Sequence, residues 1–296
     1  MGAVVGGLLA ATMLGLAACW VAGSIMVGGH NSRVAAATSP SQDIRLETQD
    51  GVSIAATFTP GRSGRSPAVL LLHGVGASRQ ATAANAAWLA SLGYAALAID
   101  FRGHGKSSIK PRTFGLSEAL DAQAAFAWLK RRQDNAPVAV IGISLGGAAS
   151  LLGDTGPIPA DALILQAVYP DIRRAIRNRI ASRTSVGVGY LLEPLLSFQA
   201  PLRFGAWPSR LSPLKALPRY RGAVLLIGGE QDISTPPAET RAMFAAAQGF
   251  KRLWLVPTGD HAAICNLVSP AYQDHVRAFL VQTIDSPATG DQERPL

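Results

Sequence analysis

The run VIGISLGGAAS, Val140 to Ser150, sets Ser144 between Gly142 and Gly146 where an apolar stretch gives way to small residues. The glycines leave room for a tight turn that lifts the hydroxyl above a sheet, and the Leu145 amide would face a developing oxyanion. A phosphate-loop reading fails on two counts: the second glycine of G-x-G-x-x-G is missing, and no Gly-Lys-Ser/Thr ending follows. Serine is a poor nucleophile at neutral pH unless a base takes its proton, so a histidine is required. The chain has five. His30 sits in a polar stretch, His275 in the helical pattern AYQDHVRAFL, and His73 and His104 in glycine-flanked loops. His261, in PTGDHAAI directly after the last apolar strand pattern, is placed in a loop late in the chain and is the expected base. An acid between the two must hold the imidazole tautomer and stabilise its cation. Asp232 in GGEQDISTPP is the expected partner, with Glu230 and Asp171 as rivals, while Asp260 reads as a loop residue.

These groups need a scaffold. Apolar runs alternate with helical patterns from Asp43 onward, and no fixed-period repeat interrupts them. DIRLET and VSIAATFT read as paired strands around Gln49, Asp50 and Gly51. AVLLLHG, YAALAID, VAVIGI, ALILQAV, AVLLIGG and RLWLVPT read as further strands, with helices expected over Ala81–Leu92 and Ser117–Arg132. Strand, helix, strand repeated in this way implies an α/β fold with a mostly parallel sheet covered on both faces. Such sheets gather chemistry at the carboxyl ends of their strands, which is where Ser144, Asp232 and His261 fall.

Composition narrows the partners. The net charge of +8 favours anionic surfaces such as acidic lipid headgroups, but the arginines are spread without the basic and aromatic interleaving of a nucleic-acid groove. Cys19 and Cys265 lie far apart, so neither a disulfide framework nor a thiolate metal site is expected. Neither C-x-x-C nor H-E-x-x-H occurs, and no metal or cofactor is implied.

From Asp43 to the end the chain resembles the α/β-hydrolase superfamily, in its serine-aminopeptidase and esterase-like branch. The resemblance rests on HGVGAS, DFRGHGKS, GISLGG and the late GGEQD and GDHA loops, in that order. It implies an α/β-hydrolase fold over 43–296 with a helical cap inserted at about 171–218. It also implies an oxyanion loop starting at His73-Gly74, in which the Val75 amide is the second donor beside Leu145, and it makes Arg102 and His104 scaffold rather than catalyst. The lipase-type HGGG loop is absent. Within the insertion, DIRRAIRNRIASR puts Ile172, Ile176 and Ile180 on one helical stripe with arginines opposite. This pattern suits either a helix pair packed on the domain or a lid that shapes an acyl pocket and turns its basic side to a bilayer.

Gly2 to Gly29 carries no acidic or basic side chain and is long enough to cross a hydrocarbon core as a helix. A cleaved signal would want a basic n-region, and the LAAC box ending at Cys19 is followed by apolar rather than polar residues. The expectation is a single-pass anchor over 1–29, a linker over 30–42 and the catalytic domain beyond, with membrane lipid and a small acyl substrate as partners. The side of the membrane stays open, since Arg33 alone votes for a cytoplasmic domain. The expected activity is hydrolysis of an ester or thioester through an acyl-enzyme. An amidase, peptidase or acyltransferase with the same triad, or a non-catalytic hydrolase-like binding protein, are the alternatives.

Overall fold

The computed structural model describes residues 2–285. Eight strands form one sheet in the order β1-β2-β4-β3-β5-β6-β7-β8. The first two, β1 (Gln42–Glu47) and β2 (Ser53–Thr59), pair antiparallel, and β2 joins β4 (Ala95–Ile99) in the same sense. All other pairings are parallel and run through β3 (Ala68–Leu72), β5 (Val138–Ile143), β6 (Ala162–Gln166), β7 (Ala223–Gly229) and β8 (Lys251–Val256). Every residue of β3, β4, β5 and β6 is buried, which explains their unbroken apolar runs: a strand covered on both faces has no polar side to show.

Alternation along the strands feeds two cores. Leu70, Leu72 and Leu97 point to one face, where they meet Ala125 and Leu129 of α3 (Glu118–Arg132), Ala149 of α4 (Leu145–Leu151) and Met243 of α9 (Pro237–Ala246). Val69, Leu71 and Ala98 point to the other, against Leu89 of α2 (Ala83–Ser91) and Tyr272, Val276 and Phe279 of α11 (Pro270–Leu280). Burying leucine and phenylalanine side chains of this size on both faces stabilises the layers by about 1.5–3 kcal/mol apiece.

Between β6 and β7 the chain passes through α5 (Ile172–Ala181), α6 (Val186–Ser197), α7 (Ala200–Phe204) and α8 (Pro213–Ala216). The isoleucine stripe of α5 turns inward: Ile172 and Ile176 are buried with Ala200 and Leu211, and Ile180 packs at the edge. Gly189 lets α6 approach the Arg177 carbonyl of α5, where a Cβ would stand 2.8 Å from that oxygen. Arg173 closes the pair with a bidentate bond to the buried Glu193 at 2.8 and 2.9 Å.

At the N-terminus, Gly2–Val27 forms one helix, α1. The stretch that follows has no regular structure before β1, yet it is laid on the body: the His30 and Ser32 amides donate to the Gly103 and Gly105 carbonyls at 3.1 and 3.0 Å, and Arg112 donates to His30 Nδ1 at 2.9 Å.

Candidate active site

Ser144 directly follows β5 and opens α4, with φ 48° and ψ −106°. A non-glycine residue is strained there, and such strain persists only where its surroundings over-determine it. Two of them are glycines. A Cβ on Gly142 would stand 2.6 Å from the Gly147 backbone, and one on Gly146 would run into the Leu72 carbonyl oxygen. The Ser144 amide donates to the Gln166 carbonyl at 2.8 Å, extending the β5–β6 ladder into the turn.

Asp232 follows β7 and is fully buried. Its Oδ1 accepts the Ser234 and Thr235 amides at 2.8 and 2.7 Å, while its Oδ2 accepts His261 Nδ1–H at 2.8 Å. The rivals lie elsewhere: Glu230 pairs with Arg241 at 3.2 Å, and Asp171 caps α5 by accepting the Arg174 amide at 2.9 Å. His261 is not in a loop, as expected from the sequence, but is the first residue of a short helix, α10 (His261–Cys265). Asp260 is its cap, accepting the Ala263 amide at 2.8 Å. A five-residue helix has too few positions for a periodic pattern to show. Burial draws the His261 pKa down, but the Asp232 hydrogen bond, helped by the Cys265 thiol one turn on, outweighs it and raises the value to about 9.

One cleft of about 380 Å³ is bordered by Gly74, Val75, Ser144, Arg179, His261 and Cys265. Ser144 and His261 therefore border one space, and Asp232 occupies the Nδ1 side of the imidazole. The Val75 and Leu145 amides have no acceptor among the described residues, so both are available to an incoming oxygen.

The other histidines have structural work. His73 is fully buried, donates through Nδ1 to the Gly74 carbonyl at 2.7 Å and accepts the Phe101 amide on Nε2 at 3.1 Å, which fixes its tautomer. Burial, with His104 beside it, lowers its pKa to about 3. His104 stacks edge-on against it and binds the Arg102 carbonyl, and burial lowers its pKa too. Arg102 bridges Asp50 and Asp121 at 2.6 and 2.7 Å, and Asp100 takes the Arg79 guanidinium and amide, pinning the HGVGAS segment. His275 lies on α11, stacked on Trp254 at 4.3 Å.

The sequence reading missed Gln166. Its carbonyl holds the Ser144 amide while its side-chain amide donates to the Ile264 carbonyl of α10, so one residue at the end of β6 ties the serine turn to the histidine helix. The signal was there as a lone polar residue closing the apolar run ALILQ. Arg179 was also passed over, because nothing in its neighbourhood along the chain places it at the cleft, and Cys265 because its place one turn after His261 depends on the short helix α10.

A sequence model of the serine aminopeptidase S33 family matches residues 65–194. The uncharacterized protein Rv2307c of Mycobacterium tuberculosis is 31% identical over 245 residues, covering 82% of this chain and 80% of its own. The uncharacterized protein YfhR of Escherichia coli K12 is 26% identical over 251 residues and covers 82% of each chain. Among solved structures, the Pyrococcus furiosus esterase Pf2001 superposes with a TM-score of 0.68 at 21% identity, over 87% of this chain and 98% of the esterase.

Proposed function

The chain belongs to the α/β-hydrolase superfamily, and from that premise we propose that it is a membrane-tethered serine hydrolase that cleaves an ester or thioester through an acyl-enzyme. The observation that carries this reading is the single cleft shared by Ser144 and His261, with Asp232 bound to the far side of the imidazole at 2.8 Å. In the proposed reaction Ser144 Oγ attacks the acyl carbon as His261 Nε2 takes its proton, and Asp232 stabilises the resulting imidazolium. The Val75 and Leu145 amides hold the oxyanion. Collapse of the tetrahedral species breaks the acyl bond to the leaving alkoxide or thiolate, which receives the proton from His261. Water, deprotonated by His261, then attacks the acyl-serine; the acid leaves and Ser144 regains its proton.

Tethering rests on α1, whose Val4–Val27 stretch has a mean hydropathy of 2.0 and none of its most apolar window buried within the protein. A helix of this length and composition suffices to span about 30 Å of hydrocarbon. In this reading the body is a catalytic domain beginning at about residue 43, with its cap over about 171–218. The test of substrate class is turnover of acyl esters of graded chain length, with thioesters and amides of the same acyl groups alongside. The reading expects esters and thioesters to turn over and Ser144→Ala to abolish both. Turnover of amides alone would overturn it.

A further inference from the structure

The second half of the cap carries a run of exposed large apolar side chains. Leu191 is 70% exposed, Leu202 79% and Trp207 61%, with Tyr190, Leu195 and Phe198 between them also open. Leu191, Leu195, Phe198 and Leu202 recur at helical spacing from α6 into α7, and Trp207 beyond α7 meets the Phe198 ring, so they make one stripe rather than a scatter. A stripe of this size on a protein surface marks something that covers it.

Its borders say what. On the α5 side the Arg177 guanidinium lies over the Tyr190 ring at 4.5 Å and that of Arg173 over Phe198 at 5.3 Å, while Trp207 meets Phe198 edge-on. Behind this rim Arg173, Arg174, Arg177, Lys215 and Asp171 line a groove of about 460 Å³ that ends at Phe198 and Trp207. Asp171 pairs with Arg174 and Glu193 with Arg173, which leaves Arg177 and Lys215 as its cations without a carboxylate partner among the described residues. Leucines flanked by aromatic rings and then by cations are the order of groups met on leaving a bilayer: acyl chains, interface, phosphates.

The other border is α1 itself. Gln199 donates to the Cys19 carbonyl at 3.0 Å, and Arg203 donates to the Trp20 carbonyl at 2.6 Å and to Ser24 Oγ at 3.1 Å, with its guanidinium over the Trp20 ring at 4.2 Å. At about 1.5 Å per residue the helix measures about 39 Å, roughly 9 Å more than the hydrocarbon core. The surplus equals its last six residues or so, and the cap grips the helix where that surplus begins. A span that starts at the far end of α1 therefore leaves the acyl region near Trp20, level with the stripe.

We infer that the α6–α7 face of the cap lies in the boundary between acyl chains and headgroups of the leaflet where α1 ends, with the arginine groove at the phosphates. This rests on the reading of α1 as a membrane span. It also extends the orientation considered from the sequence: the basic side of α5 stays at the phosphates, while the apolar face of α6–α7 enters the acyl boundary. Because Arg179 of the same α5 borders the reaction cleft, the cleft is held beside the membrane surface, where a lipid-borne ester arrives without crossing water.

The test uses the full chain in vesicles of phosphatidylcholine and phosphatidylglycerol. Cys19 and Cys265 are replaced by Ala, and an environment-sensitive fluorophore is attached in turn to Leu191→Cys, Leu202→Cys, Leu9→Cys within α1, and Ser63→Cys on the exposed loop before β3. Nitroxide-bearing lipids should quench the probes at 191 and 202 by an amount comparable with the probe at 9, and leave the probe at 63 bright. Quenching at 9 with 191 and 202 as bright as 63 overturns the inference and keeps the anchor. No quenching at 9 overturns the anchor and the inference with it. Probes at 191 and 202 that are shielded from aqueous iodide yet untouched by lipid nitroxides would mean that a second copy or another protein covers the face, which also overturns it.

Discussion

In the proposed mechanism His261 sets the pH dependence, because only the neutral ring can take the Ser144 proton. An unperturbed imidazole titrates at about 6.5, whereas Asp232 and Cys265 together raise His261 to about 9. Activity should therefore rise with pH through a midpoint above 6.5, and a kcat/KM profile whose acid limb lies at or below 6.5 would contradict the geometry. The stability sign is opposite. A raised folded pKa favours the folded state most below the unfolded value, and that contribution fades as pH climbs through about 9. Asp232→Asn should lower kcat by about 10⁴-fold, as loss of the orienting carboxylate leaves the wrong tautomer facing serine. A stopped assay at saturating substrate checks this, and a loss under tenfold would remove Asp232 from its role. The placement of Ser144, Asp232 and His261 beyond strand ends was legible because glycines and the ends of apolar runs mark the segments that carry them. That of Arg179 was not, since its proximity to the cleft comes from packing of α5 that no local pattern encodes, and Cys265 only becomes a neighbour of His261 once 261–265 is a helical turn.

At the scale of elements, the turn after β5 depends on close approach. Gly146→Ala would drive a methyl into the Leu72 carbonyl of β3, so the turn must shift or the strand must yield. A loss of about 2 kcal/mol or more is expected, read as a drop in thermal midpoint, and an unchanged midpoint would mean that the turn is looser than it looks. Gln166 joins three elements, and Gln166→Leu leaves the Ile264 carbonyl of α10 without its donor. This should lower kcat with little change in KM, because the histidine helix shifts while the cleft stays open. A rise in KM at constant kcat would assign Gln166 to substrate binding instead. The strands were readable from sequence because β3 to β6 are apolar but for Gln166 at the end of β6, and the α5 stripe because Ile172, Ile176 and Ile180 keep helical spacing. Helix α9 escaped notice: its Ala238, Ala242, Ala245 and Ala246 give little contrast between faces, and it is fixed by burying Met243.

For the whole molecule, the proposed anchoring by α1 decides where the reaction happens. The full chain should stay in the membrane fraction at high salt, which screens the attraction of its +8 charge for anionic headgroups. A chain shortened to begin at His30 keeps the bonds that lay residues 30–32 on the body, and it should shift toward the soluble fraction. Intact mass of the extracted protein checks the anchor: a mature chain beginning at a lipid-bearing Cys19, or one cut near Gly29, would refute it. The length of α1 was plain in the sequence, but its grip by Gln199 and Arg203 was not, because those residues lie far along the chain on a cap whose position only the fold defines. The serine mechanism is tested most directly by treating the intact membrane-bound protein with a fluorophosphonate and mapping the adduct by mass spectrometry. The account predicts one modified residue, Ser144, with labelling and turnover both lost in Ser144→Ala; an adduct on any other serine, or turnover that survives the substitution, would contradict it.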